Sequence, residues 1–475
     1  MADILLITIN AKWIHPSLAL RLLKANLGKL EEQCQIAEFA LRQNLDEKTG
    51  PVLAARPKIL GISVSIWNHS AILELLKELW KAWGNERPVI VLGGPEVSFL
   101  PPDAEIFKYA DYCIRGEGEI RFRELCEAVL INRNLKMADA ITACDGYTSV
   151  HLAEIKSSYH LYTDEDLHKK LIYAEASRGC PYGCEFCLSS HSGTVREFPL
   201  EPFLAEMEIL VSRGVKTIKF LDRTFNLNIK RAQRIMEFFL EKILQRQSTA
   251  APLVVHFEMI PSRFPAELLE TISRFPPGTL RLEIGIQTLN PGVAAIIGRP
   301  SDTELELASL RFLAKNTNAV IHADLIAGLP GEGIDSFGKG FDLLREALLP
   351  PPAGSTFNSR AEIQPGILKL LPGAPIARHS VEHKMRYSSS PPYEILETAA
   401  MPAADLNRLK NFARFWELIV NRNLFVLNTN LSTGSVFKRF LNLSDFLLLH
   451  FGQNWGIAKK DLMDAVLDWN DRAYL

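Results

Sequence analysis

Three of the seven cysteines in this 475-residue chain fall within eight residues, in the run Arg178-Gly179-Cys180-Pro181-Tyr182-Gly183-Cys184-Glu185-Phe186-Cys187. The C-x3-C-x2-C spacing puts three soft sulfur donors on one tight loop, and Gly179 and Gly183 give the backbone freedom to turn them together. Three thiolates are an incomplete set. A structural zinc ion normally takes four ligands and a cubane iron–sulfur cluster four thiolates, so this trio leaves one position for a molecule from outside. Two other readings of the same residues are a Cys3His zinc site closed by His191 and a purely structural reduced trio. Cys34, Cys113, Cys126 and Cys144 are scattered and read as small apolar residues.

The elements around the loop alternate. Before residue 131, short apolar runs at 4–9, 59–66, 89–92 and 110–114 are separated by helical spacings at 17–30, 71–83 and 119–131. That order predicts a doubly wound, five-stranded parallel sheet, which binds ligands beyond the carboxyl ends of its strands. A second alternating series starts at 171. Its strand candidates are 171–177, 216–221, 253–259, 280–288, 320–327 and 362–371, with helical stretches at 201–212, 229–245 and 302–314 between them. Six such units predict a partial (β/α)6, TIM-like barrel. From about Ala403 the pattern is helical. The expected fold is therefore α/β: a Rossmann-like domain at 1–135, a polar linker at 136–170, the partial barrel at 171–374 and a mostly helical segment at 375–475.

Within the barrel, Arg281, Glu283, Gly285 and Gln287 share one face of a strand whose other face is Leu282, Ile284 and Ile286. His256 with Glu258 and His322 with Asp324 repeat that two-residue spacing. Ordinary barrels fill their interior with branched aliphatic side chains. A polar lining instead implies an open interior that holds a ligand.

The cysteine run resembles the signature of the radical S-adenosylmethionine (SAM) superfamily, with the aromatic Phe186 before the third cysteine. The resemblance implies a [4Fe-4S] cluster on Cys180, Cys184 and Cys187, with SAM chelating the fourth iron and being cleaved to a 5′-deoxyadenosyl radical. Phe186 and Tyr182 would shield the cluster from water. Further similarities follow in order. Asp222-Arg223-Thr224-Phe225-Asn226 stands where the family usually has a Gly-Gly-Glu-like triplet, and it departs from that triplet toward the Asp-x-Thr-Phe-Asn variant of cobalamin-linked members. This implies cofactor contacts from Asp222 and Thr224. Glu258 and Gln287 match positions that contact cofactor or substrate, and Gly328, in Leu325–Glu332, matches a turn near the adenine.

The amino-terminal segment resembles the cobalamin-binding domain that precedes many radical enzymes. The similarity rests on Ser63-Val64-Ser65, on the pair Gly93-Gly94 after the 27 residues 66–92, and on Arg115-Gly116-Glu117-Gly118-Glu119. It implies that Ser63, Ser65, Gly93, Gly94 and Glu117 contact the corrinoid. His15 follows the first strand, but Trp13 and Leu18 stand where the family pattern has Asp and Gly, so cobalamin held without a histidine ligand is the expected arrangement. Segment 375–475 resembles a domain of unknown function found on one subgroup of these proteins. His379 and His383, four apart, read as part of a solvated basic stretch with Arg378, Lys384 and Arg386.

Composition is ordinary for a globular chain: 47% hydrophobic, 23% charged, and a net charge of −2 from 53 basic and 55 acidic residues. This excludes a disordered chain and a disulfide scaffold, and offers no global pull on nucleic acid or anionic membrane. The start has no basic leader and no apolar run reaches the eighteen or so residues of a membrane helix, so a cytoplasmic protein is expected. The resemblance as a whole implies a cobalamin-dependent radical SAM enzyme. Methyl transfer to an unreactive carbon is the first expectation; oxidation or rearrangement without methyl transfer, and a non-catalytic zinc- or cobalamin-binding module, are the alternatives. The substrate would be a small molecule or peptide held in the barrel mouth between cluster and corrin, and the reductant a flavodoxin- or ferredoxin-type protein.

Overall fold

A computed structural model describes residues 2–131, 149–189, 193–246, 252–299, 301–348, 360–422 and 434–472. Cys144, His191 and the first part of the expected linker lie outside the described residues. The chain divides into two compact units. One holds Met1–Arg178, Arg196–Leu221 and Leu371–Gly373; the other holds Gly179–Val195, Asp222–Leu370 and Ala374–Leu475.

In the first unit, β1 (Ile4–Asn10), β2 (Cys34–Ala40), β3 (Ile59–Ser63), β4 (Val89–Gly93) and β5 (Tyr112–Ile114) form a parallel sheet of order β2-β1-β3-β4-β5. The chain reverses its winding direction between β1 and β3, the switch point at which doubly wound sheets bind ligands. Every residue of β1 is buried because helices cover both faces. Ile4 and Leu6 pack with Leu20, Phe122 and Leu125, while Leu5, Ile7 and Ile9 pack with Ile72, Leu75, Leu76 and Leu79. The apolar runs found in the sequence are four of these five strands. The fifth, β2, is an edge strand with Gln35 exposed and no continuous apolar run. Its Glu38 instead accepts from Arg21 Nη1 at 2.8 Å and Asn10 Nδ2 at 3.1 Å. Residues 149–170 are more ordered than a polar linker suggests. A capping box of Thr163 and Asp166 starts the helix Asp164–Lys169, and Asp166 also pairs with Arg21 at 3.2 Å.

The same unit holds β6 (Ile172–Ala174), paired in parallel with β9 (Thr217–Phe220). Two short strands, β7 (Ser177–Gly179) and β8 (Val195–Glu197), form a ribbon, and the segment joining them carries the three cysteines. In the second unit β10 (Val254–Met259), β11 (Leu280–Gln287), β12 (Val320–Ala327) and β13 (Arg360–Ile367) pair in that order, all parallel. Helices Ile229–Arg246, Ala266–Ser273, Thr303–Asn316 and Ile334–Ala347 alternate with them. Along β11 the aliphatic residues Leu280, Leu282, Ile284 and Ile286 are buried, as the alternation predicts.

The carboxy-terminal segment begins with a short hairpin, β14 (Arg386–Tyr387) against β15 (Ile395–Glu397), before its helices Ala403–Trp416, Val436–Phe451 and Lys459–Arg472. Phe412, Trp416 and Phe437 pack around Phe341 of helix Ile334–Ala347, with Phe341 edge-on to Phe412 and Trp416 at centroid distances of 5.1 and 4.8 Å, and Phe440 packs edge-on against Phe412 and Trp416. Aromatic pairs of this geometry add to plain area burial. No described helix is long and apolar enough to cross a membrane.

Candidate active site

The cysteine loop is held from several directions. Cys184 is buried, and Cys180 and Cys187 are partly exposed. Cys187 N–H donates to Cys184 C=O at 3.1 Å, closing a tight turn. Glu185 is tied at both backbone ends: its N–H donates to Ile297 C=O at 3.0 Å, and its C=O accepts from Ile376 N–H at 2.9 Å. Its carboxylate, 4% exposed, accepts from both nitrogens of an Arg378 fork and meets His379 Nε2 at 2.6 Å. Gly298 lies against the loop with φ +62, where an added Cβ would come 2.9 Å from Gly183 O. The next residue, Arg299, places Nη1 4.0 Å from Cys184 Sγ and donates through Nη2 to Gly285 C=O. Burial pushes the Cys184 thiol above its ordinary pKa, and the charge and hydrogen bond of Arg299 oppose that rise. Burial likewise raises Cys180, with Arg223 among the groups pulling it back. Phe186 is half-buried beside them.

The segment expected to contact SAM follows β9. Asp222 and Thr224 are buried. Sequence reasoning quoted Asn226 without giving it a task, and the structure supplies one. Asn226 is fully buried; its Nδ2 donates to Ile260 C=O at 2.9 Å and Arg263 C=O at 2.7 Å, and its Oδ1 accepts from Ile260 N–H at 2.9 Å. With Phe225 N–H on Glu258 C=O at 3.0 Å and the Phe225 ring 4.2 Å from Phe257, this pins the Asp222–Asn226 segment to the carboxyl end of β10. Glu258 Oε2 lies 3.5 Å from Arg223 Nη1.

Gln287 closes β11 at φ +70, in the left-handed region, and its amide folds over Gly285, where an added Cβ would stand 2.4 Å from Nε2. Strain of this kind in a non-glycine residue is a mark of functional positions. Gly328, at φ +88, is packed under Ile395 and Leu406 of the carboxy-terminal segment, and a Cβ would meet Ile395 at 2.6 Å. Thr288 Oγ1 donates to the buried Glu332 at 2.8 Å, and burial pushes the Glu332 carboxyl up to about 7. Lower in the barrel the polar faces meet across strands. His256 Nε2 is 3.1 Å from Glu283, His322 Nδ1 is 3.2 Å from Glu362, and the two imidazoles stack at 5.6 Å.

In the first unit, Ser63 and Gly93 are register partners at the ends of β3 and β4. Gly94 has φ +105, and a Cβ there would stand 2.5 Å from Val64 O and 2.9 Å from Val64 N. The turn after β3 is fastened by Asn68, which the sequence reading did not single out. Its Oδ1 accepts from Ser65 N–H at 2.8 Å, and its Nδ2 reaches Ile9 C=O at 3.0 Å and Thr8 Oγ1 at 3.2 Å. The Ser63 and Ser65 hydroxyls have no hydrogen-bond partner among the described residues. Glu117, expected at the corrinoid, spends both oxygens elsewhere: on Arg196, on Val150 N–H at 2.7 Å and, more loosely, on Arg178 at 3.6 Å. Arg178 also holds Glu119 at 2.6 Å and Glu175 at 3.0 Å, so this acidic group braces the strand that leads into the cysteine loop. His15 Nδ1 is 2.9 Å from the Tyr173 hydroxyl, and burial, helped by Lys12 and Lys219, keeps its pKa low.

The carboxy-terminal histidines are not simply solvated. His379, Glu382 and His383 bring ligand atoms within 4.8 Å of one another, an H-x-x-E-H spacing whose acidic member was overlooked in the sequence. His379 already commits Nε2 to Glu185, so this group clamps the cysteine loop.

A doubly wound sheet followed by parallel β-α units, with a three-cysteine loop and serine and glycine turns at the strand ends, defines the class. Residues 175–344 match the radical SAM superfamily and residues 4–126 match the B12 binding domain. The chain thus combines a radical SAM domain with an amino-terminal B12 binding domain. Among relatives, it is 27% identical over 296 residues to an uncharacterized methyltransferase of Pyrococcus horikoshii, covering 58% of this chain and 61% of that protein. It is 25% identical over 355 residues to the cobalamin-dependent radical SAM methyltransferase TokK of Streptomyces tokunonensis, covering 67% and 48%. The chain thus spans roughly half to three-fifths of the length of these relatives. Two solved structures share the fold. The cobalamin-dependent SAM radical enzyme OxsB, with aqua-cobalamin and SAM bound, aligns with a TM-score of 0.63 and 15% identity over 98% of this chain and 78% of that one. The radical SAM methyltransferase TsrM of Kitasatospora setae, with tryptophan and a SAM analogue bound, gives 0.59 and 17% over 82% and 79%.

Proposed function

We propose that this chain is a cobalamin-dependent radical SAM methyltransferase acting on an unreactive carbon. The observation that carries the reading is the donor set itself: three cysteine sulfurs on one fastened loop, with a guanidinium at the sulfur of Cys184. Thiolates are what an iron–sulfur cluster requires, and cations beside them favour the ionised form. When bound, the cluster and SAM supply a carbon-centred radical oxidant and the corrinoid supplies the methyl group.

The chain's own residues do the positioning. Cys180, Cys184 and Cys187 would hold three irons and leave the fourth to SAM. Asp222, Thr224, Glu258 and Gln287, at the carboxyl ends of β9 to β11, would hold SAM or substrate, with Asn226 fixing the segment that carries the first two. For the corrinoid, the residues present also fit. Ser63 and Ser65 offer unspent hydroxyls, and Gly94 admits no side chain where the β3 and β4 turns touch. His15, with Nδ1 against Tyr173, has no carboxylate to orient it as a metal ligand. We therefore assign the corrinoid no histidine from this chain. The substrate is a small molecule or peptide, and the electron donor a low-potential flavodoxin- or ferredoxin-type reductant.

Anaerobic reconstitution with iron, sulfide and hydroxocobalamin, followed by incubation with methyl-labelled SAM and candidate substrates, tests the proposal. About four irons per chain, 5′-deoxyadenosine and label in the product are expected. Formation of 5′-deoxyadenosine with unlabelled product contradicts methyl transfer, and one zinc per chain with no sulfide contradicts the radical reading.

A further inference from the structure

Arg299 lies far from the cysteines in sequence and outside every motif quoted above, yet its side chain is one of the most constrained features of the loop's surroundings. It follows the short helix Pro291–Ile296. Its own N–H donates to Ala294 C=O at 2.9 Å, and the preceding Gly298 takes a left-handed φ of +62 that lays the turn against Gly183. Glu185 N–H on Ile297 C=O locks the two loops together on the other side. The guanidinium is then aimed by its fork: Nη2 is on Gly285 C=O and Nη1 on Cys184 Sγ. Gly285 itself has no room for a side chain, because a Cβ there would stand 2.4 Å from Gln287 Nε2.

Two further facts concern what the cation faces. Arg299 Nε is buried with no hydrogen-bond partner among the described residues, so the group is not fully satisfied by protein oxygens. Nearby Glu306 is buried with its carboxyl pushed up to about 7, so near neutrality it is not a full counter-ion. The positive charge is left for the sulfur.

We propose that Arg299 is the counter-charge and N–H···S donor of the cluster, setting its reduction potential through Cys184. The inference rests on the cluster reading above. A donor and a positive charge at a ligand sulfur stabilise the more negative, reduced cluster over the oxidised one, and so raise the potential. Radical generation uses a low potential, so this device limits how far the potential falls and keeps the cluster reducible by a protein donor. Arg299 is a positioning and tuning residue; it moves no proton and forms no bond to substrate.

The test is a dye-mediated potentiometric titration, read by electron paramagnetic resonance, of anaerobically reconstituted wild type, Arg299→Lys and Arg299→Met, with iron and sulfide measured on each. Poised at the wild-type midpoint, Arg299→Met is expected to show its reduced-to-oxidised ratio lowered about tenfold, which is a 59 mV negative shift for a one-electron couple. Arg299→Lys keeps the charge and loses the fork, and should recover at least half of the shift. If Arg299→Met does not hold a cluster, Arg299→Lys against Arg299→Gln makes the same comparison, with Gln the more negative. Variants that carry a full cluster and titrate within twofold of wild type overturn the role of Arg299 while leaving the cluster reading intact. Wild-type protein that takes up no cluster overturns both.

Discussion

Replacing Asn226 should loosen the segment that presents Asp222 and Thr224, by an amount that follows from three hydrogen bonds. In Asn226→Ala, Ile260 N–H, Ile260 C=O and Arg263 C=O lose partners at 2.9, 2.9 and 2.7 Å in a fully buried place. Each orphaned backbone group costs about 1–3 kcal/mol, and losses at neighbouring groups overlap, so about 4 kcal/mol of local stability is at stake. Amide exchange of residues 222–228 and 258–264, followed by mass spectrometry, reads this directly. At about 1.4 kcal/mol per decade, a loss of that size accelerates exchange through local opening by roughly a thousandfold. Asn226→Asp sharpens the argument. One carboxylate oxygen can still accept from Ile260 N–H, but the other faces two carbonyl oxygens, so burial and repulsion raise the carboxyl's folded pKa above its unfolded value near 3.9. With a raised folded pKa, stability is fully present below the unfolded value and is lost as pH rises through the folded one. This variant should exchange more slowly at pH 5 than at pH 8, after correction for intrinsic rates, whereas the Ala variant should show no such dependence. Less than a tenfold acceleration in Asn226→Ala would refute the reasoning.

Three further outcomes follow from other parts of the structure. Cys184→Ala should lose the brown absorbance and most of the iron on reconstitution while keeping its far-ultraviolet circular dichroism; a full complement of iron would remove Cys184 from the ligand set. Gly94→Ala must place a Cβ 2.5 Å from Val64 O at φ +105, so it should cost at least about 2 kcal/mol and weaken hydroxocobalamin binding tenfold or more, as read by equilibrium dialysis. Glu332, raised by burial to about 7, contributes stability below pH 4.5 that is lost as pH rises toward 7, on the order of 3 kcal/mol. Glu332→Gln should therefore flatten the urea midpoint between pH 5 and pH 8 relative to wild type, and an unchanged slope would assign the dependence to other groups.

The sequence made some of this legible and hid the rest for physical reasons. β1 is readable because both its faces are buried, so its apolar run is continuous; β2 is not, because an edge strand can spend Glu38 on Arg21 and Asn10 instead of burying it. The cysteine loop is readable because its ligands are local. What fastens and charges the loop is not local: Arg299, Ile297, Arg378 and His379 come from more than a hundred residues away, and no periodicity announces them. Glu117 shows the converse case. A Gly-Glu-Gly-Glu run after a strand looks like a ligand turn, but two arginines that the sequence could not place, Arg178 and Arg196, take its carboxylate. Asn68 and Asn226 carried a usable signal, a polar amide set just beyond a strand end, where turns must satisfy free backbone groups.

The most direct test of the account is whether one iron answers to the nucleotide. The reconstituted, reduced protein should be examined by electron–nuclear double resonance with SAM labelled with 15N at the amino group and 17O at the carboxylate. Coupling of both labels to the cluster is the predicted result, since three sulfurs leave one metal exposed. A spectrum with no coupling, unaltered by SAM, would show the coordination already complete and contradict the account at its base.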